Sequence, residues 1–160
     1  MSINQNVVGA AFAVPGPDRM FELGTRIKGD GGSEWIYVQA TGAITGAGYV
    51  ATYDRTFQAA LLSTSNDGAG QQLGVAAAAF ADNDYGWVQI WGACDAIQVL
   101  ASAAANVALN TTATAGALDD DGGATAFVAN GIMLTTARAA SAGTAPGFLS
   151  YPMLAMAAHG

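Results

Sequence analysis

Residues 41–48 read Thr-Gly-Ala-Ile-Thr-Gly-Ala-Gly, directly after the apolar run Trp35-Ile-Tyr-Val-Gln-Ala40. Thr-Gly, three residues, Gly, one residue, Gly is a spacing that lets a backbone turn approach a pyrophosphate, the opening of a dinucleotide site. That chemistry needs a strand before the glycines and a helix after them, its N-terminus facing the phosphates. The strand is plausible from the pattern. The helix is not, because Tyr49-Val-Ala-Thr-Tyr53 carries β-branched and aromatic residues at strand spacing, followed by Asp54-Arg55. Nicotinamide enzymes that use this turn also place a Lys four residues after a Tyr, and Lys28, the only lysine, precedes the glycines. Gly42, Gly46 and Gly48 are therefore read as a loop between two strands, and no cofactor is expected.

The other reactive residues are sparse. His159, the only histidine, stands next to the last residue, where a catalytic geometry is hard to hold. Cys94, the only cysteine, is followed by Asp95, and a neighbouring carboxylate discourages the thiolate, so a packed, inert thiol is expected. No disulfide and no zinc site can be assembled. Asp82/Asp84 and Asp119-Asp120-Asp121 are the carboxylate clusters. Both lie in turn sequences, where Asp caps its own backbone, and the second lacks the ligand spacing of a calcium loop. The residues thus predict no catalytic site and no metal centre, a weak cation site at Asp119–Asp121 staying open, and the chain is not expected to be an enzyme. The aromatics Trp35, Tyr37, Tyr85, Trp87 and Trp91 could stack on sugars or bases, but a packed core accounts for them more simply.

The elements that would position these residues follow from composition and punctuation. The 160 residues suffice for one domain. Hydrophobic residues make up 52%, enough for a core, whereas charged residues make up 11%, below half of the typical ~25%. So bare an exterior points to association with itself or with a partner. The net charge is −7 and the pI about 4.1. No basic run exists, which argues against nucleic acid and against an anionic membrane as partners. Four of the five cations, Arg19, Arg26, Lys28 and Arg55, lie between positions 19 and 55, while the later chain is acidic apart from Arg138. The first residues carry no basic signal region, and no apolar stretch approaches the ~20 residues of a membrane helix. A soluble protein made in a cytoplasm is expected.

Pro15-Gly-Pro17 disfavours regular structure, so residues 1–20 are read as an extended N-terminal arm and 21–160 as a single β-rich domain. Short β-branched and aromatic segments recur at 34–40, 49–53, 57–62, 72–79, 86–91, 96–100, 107–110, 125–128, 132–136 and 147–151. Gly/Asp/Asn clusters separate them at roughly the 8–12-residue spacing of a sandwich or barrel. Residues 96–109 also fit a short helix through Ile97, Leu100, Ala104 and Ala108, but the β pattern continues on both sides. The fold expected is all-β, a small barrel or sandwich-like domain of many short strands. Trp87 and Trp91 share one strand face, with Val88 and Ile90 on the other. A strand bulky on both faces is usually buried on both, and a neighbouring subunit is the expected cover for the second.

Three stretches together resemble a known family. They are Glu22-Leu-Gly-Thr-Arg-Ile-Lys-Gly-Asp-Gly-Gly-Ser-Glu-Trp-Ile-Tyr-Val-Gln-Ala40, Leu73-Gly-Val75 leading to Ala81-Asp-Asn-Asp-Tyr-Gly-Trp-Val-Gln-Ile-Trp-Gly92, and Val107-Ala-Leu-Asn-Thr-Thr-Ala-Thr-Ala-Gly-Ala-Leu118. Their rhythm is similar to that of the head decoration, or cement, proteins of tailed bacteriophages, over roughly residues 22–154. The resemblance implies a small β-rich structural virion protein on the outer surface of an icosahedral capsid. It further implies a homotrimer at local threefold axes that clamps neighbouring subunits of the major capsid protein, with no catalytic residues. On that reading Arg19, Arg26, Lys28 and Arg55 face the shell together with the arm, and Trp87 and Trp91 lie at a subunit interface. The competing reading is a head fibre or carbohydrate-binding module that uses Trp35, Trp87 or Trp91.

Overall fold

A computed structural model of the chain describes residues 6–7 and 10–157. The fold is all-β. Among the described residues twelve strands run in the order β1 (Asn6–Val7), β2 (Ala10–Ala11), β3 (Arg26–Lys28), β4 (Glu34–Ala40), β5 (Val50–Tyr53), β6 (Gln58–Leu61), β7 (Gln72–Ala76), β8 (Tyr85–Val99), β9 (Leu109–Thr111), β10 (Leu118–Asp119), β11 (Val128–Leu134) and β12 (Gly143–Leu154). β1 and β2 form a small hairpin. The other ten make one sheet in the order β10-β9-β11-β12-β8-β7-β5-β6-β4-β3. Extra pairings of β8 with β4 and β10, and of β12 with β7, fold the sheet back on itself. β3, paired only with β4, remains at one end of the sheet.

β8 organises the sheet. Its first half pairs with β4 from Tyr85 to Trp91, and its second half pairs with β12 from Trp91 to Val99. The sequence pattern predicts two strands, 86–91 and 96–100, and the structure has one strand that bends. The bend sits at Gly92, whose φ of +97° L side chains rarely adopt. A Cβ there would also lie 3.0 Å from the Ser33 Cα. The buried Gln89 ties the bend, since its Nε2 donates to the Trp91 carbonyl at 2.9 Å and to the Ala93 carbonyl at 2.8 Å. The helix considered for 96–109 does not form. Residues 96–99 complete β8, and residues 101–108 are irregular up to β9.

Three apolar clusters fill the fold. Leu73, Val75, Ile97, Leu109, Leu134 and Leu149 belong to the largest, between the later strands. Ile36, Val38, Ile44, Phe80, Val88 and Ile90 form the second, on one face of β4 and β8. Phe12, Trp35, Tyr37 and Trp87 form the third, on the opposite face. β4 and β8 are therefore buried on both faces, which explains why their residues are bulky on both parities. The cover on the second face comes from the chain's own N-terminal segment and not from a neighbour. Phe12, only 1% exposed, stacks on Trp35, and Phe21 meets Trp87 edge-on at 5.2 Å. Gly16 exchanges two backbone hydrogen bonds with Tyr85, and the Met20 amide donates to the Tyr37 hydroxyl. The segment read as an arm is thus tied to the domain at residues 12–20. Its residues 1–5, 8 and 9, like His159, lie outside the described residues.

Candidate interaction surface

The Thr41–Gly48 stretch is a loop between β4 and β5. Ile44 plugs the second cluster and exchanges backbone hydrogen bonds of 2.9 Å with Phe80. Gly48 has φ +87°, donates its amide to the Ala76 carbonyl and accepts from the Gln98 amide. A strand follows it, so no helix N-terminus faces the glycines. Cys94 is buried, its Sγ 3.4 Å from the Ala96 carbonyl. Burial, opposed by that contact and aided by Asp95, pushes the thiol up to about 11. Asp84 caps its own turn by accepting from the Ala81 amide. Asp119 accepts from the Asp120 amide, and desolvation together with the charges of Asp120 and Asp121 raises its carboxyl. Among the described residues no group of three or more His, Cys, Asp or Glu side chains is placed to hold a metal ion.

The residues that do converge are apolar and exposed. β12 alternates from residue 144 to 150, with Ala145, Gly147 and Leu149 inward and Thr144, Pro146, Phe148 and Ser150 outward. Register then builds a continuous patch on the outer side. Phe148 stands opposite Met133 of β11 and Ala93 of β8, Ser150 stands opposite Trp91, and Trp91 stands opposite Glu34 of β4. The Trp91 ring meets Phe148 edge-on at 5.6 Å and lies 5.0 Å from the Tyr151 ring. Tyr151 leaves the alternation at φ +45°, which turns its ring onto this face. Its hydroxyl donates to the Glu34 carboxylate, a bond that raises the phenol above its ordinary value. The Arg26 guanidinium caps the other side, 5.6 Å over the Tyr151 ring. Met133, Phe148 and Tyr151 are 40%, 39% and 44% exposed. Exposed apolar patches and surface aromatics are features enriched at protein interfaces.

The six site residues expected from sequence are distributed as follows. Trp91 belongs to this patch. Trp87 does not: at 2% exposure, enclosed by Phe12, Phe21 and Tyr37, it has no face left for a subunit. That expectation is corrected, because the bulk on both faces of β8 is satisfied within the chain. Trp35, weighed as a sugar-stacking residue, is buried in the same cluster with its indole N–H on Ser33 Oγ at 2.9 Å. Arg19 pairs with Glu22. Lys28, on the edge strand β3, stands opposite Glu34 of β4, two strands from Trp91. Arg26 and Arg55 line a single groove of about 660 Å³ with Tyr53, Asp54, Phe57 and Gln72. The four cations are thus not one patch.

Sequence reasoning missed Phe148, Tyr151, Met133 and strand β3. The alternation of residues 144–150 was the available signal for the first. A three-residue edge strand carries too little pattern to be read. No family model, curated protein or solved structure matches the chain.

Proposed function

We propose that this protein is a structural virion component that decorates the outer surface of an icosahedral phage head and stabilises it by bridging neighbouring major capsid protein subunits. The observation that supports this reading most is the exposed Met133–Phe148–Trp91–Tyr151 patch on an otherwise well-filled β fold. Buried aromatic anchors dominate binding energy at protein interfaces. A patch of this kind, bordered by Lys28 and Arg26, suits a flat protein surface better than a small molecule. Three copies around a threefold axis would turn modest single contacts into strong attachment by raising the effective concentration of the second and third. The resemblance of residues 22–154 to cement proteins supports the same assignment.

Binding to heads that lack the protein tests the reading. The double variant Trp91→Ala/Phe148→Ser is expected to stay folded and to lose occupancy by at least about tenfold, the effect of one interfacial anchor. Undiminished occupancy would remove the patch from the account. The half-buried Trp91 beside the exposed Tyr151 offers a surface that would also stack on a sugar, and a glycan array with the intact protein distinguishes that reading.

A further inference from the structure

We propose that the groove between Arg26 and Arg55 binds the Asp119–Asp121 turn of a second copy of this chain. The two guanidiniums come from separate elements. Arg26 projects from the edge strand β3, and Arg55 sits in the turn between β5 and β6. The backbone of that turn is held by Asp54, whose Oδ1 accepts from the Thr56 amide at 2.8 Å, the Thr56 hydroxyl at 2.7 Å and the Gln58 amide at 3.1 Å. Asp54 is the one carboxylate in the groove wall, and its Oδ1 is thereby occupied. The Tyr53 phenol, which also lines the groove, lies beside the Arg26 guanidinium, and burial raises it above its ordinary value. Among the described residues the only ion pair is Arg19–Glu22, so neither groove arginine has a carboxylate within 4 Å.

Two guanidiniums at one concave site favour carboxylates, which they bind through paired N–H donors. The chain itself carries the matching group. Asp119, Asp120 and Asp121 are its densest run of acid, and residues 121–125 are exposed, with Gly122, Gly123 and Ala124 adding little bulk. This loop can enter a groove that a bulkier turn could not. The crowding of three like charges is relieved when guanidiniums approach. The groove borders β3 and the turn follows β10, the two terminal strands of the sheet order. The two surfaces are different patches of one chain, so a contact between copies is heterologous and leads to a ring or a chain of subunits. The contact does not depend on a phage head being the target.

The test is self-association of the full chain in solution, followed by sedimentation velocity at low and high salt. Wild type is expected to associate, and to weaken as salt screens the pairs. Arg26→Glu/Arg55→Glu and Asp120→Lys/Asp121→Lys are each expected to raise the dissociation constant at least about tenfold, which corresponds to roughly 1.4 kcal/mol. An equimolar mixture of the two variants should recover association, because the acidic turn of the first meets the arginine groove of the second and the lysine turn of the second meets the glutamate groove of the first. Arg55→Gln, at an exposed turn position, guards against loss of fold in the charge reversals, and near-ultraviolet circular dichroism checks each protein. A wild type that stays monomeric at about 100 µM, association unchanged in the arginine variants, or a mixture that stays monomeric would each overturn the proposal. Heads are absent from the assay, so a monomeric chain that still coats heads would defeat this inference and leave decoration standing.

Discussion

Phe12 lies flat on Trp35, the ring centroids 4.6 Å apart and the planes 6° from parallel. The contact joins a residue of the N-terminal segment to the central strand β4 and closes the third apolar cluster. Phe12 also meets Trp87 edge-on at 5.5 Å. One side chain therefore seals the second face of both long strands.

Phe12→Ala is expected to cost about 3–5 kcal/mol, the range for emptying a buried phenylalanine site. Urea unfolding followed by tryptophan fluorescence measures it. A loss below about 1 kcal/mol would mean that the segment rests on the domain without stabilising it. Deleting residues 2–17 removes the same ring, so its effect on head binding is to be read only alongside a folding control.

The three tryptophans should separate by quenching. Trp35 and Trp87 are buried, while Trp91 is only partly covered by Phe148 and Tyr151. Acrylamide is expected to quench one component of the native emission, and Trp91→Phe should abolish that component. Quenching of all three in the native protein would contradict the burial of the third cluster.

Gly48→Ala is expected to destabilise the chain by roughly 1–3 kcal/mol, the cost of a left-handed conformation in a residue with a Cβ. The added methyl would also press on the Ala96 carbonyl at 3.1 Å and on Thr144 at 3.0 Å. Nicotinamide cofactors should leave the melting temperature of the wild type unchanged, since a ligand raises it only by binding the native state. A cofactor-dependent rise would reinstate the dinucleotide reading of residues 41–48.

Alkaline pH should weaken the fold through Cys94. Its thiol is raised from an ordinary 9.0 to about 11, so between those values the folded state holds a proton that the unfolded state has released. Stability from this group is complete below about pH 9 and is lost as pH rises towards about 11, by roughly 2–3 kcal/mol. Cys94→Ala should flatten that part of the stability curve. The same burial should slow reaction with a disulfide reagent in the native protein relative to the unfolded one.

The legible and illegible parts of this chain divide on physical grounds. Strand β4 was readable to its ends, because Glu34–Ala40 combines β-branched and aromatic residues between Gly-rich turns. The break after Trp91 was misread, because a glycine that bends a strand and one that ends it look alike in sequence. The partner of the second face of β8 was misassigned for a different reason. Residue parity says that Trp87 is covered but not by what, and Phe12 lies 75 positions away. For the site, Trp91 was legible as an aromatic on a strand. Its neighbours Phe148 and Tyr151 reach it only through the β8–β12 register and the turn of Tyr151 at φ +45°, which no local pattern encodes.

The central proposal is placement on a virion, and cryo-electron microscopy of virus particles purified from cells that make the protein tests it most directly. Density for this fold is expected on the outer surface of the head, at local threefold axes, with Trp91, Phe148 and Tyr151 turned towards the major capsid protein. Particles whose shell carries no such density, in preparations where the protein is made, would contradict it.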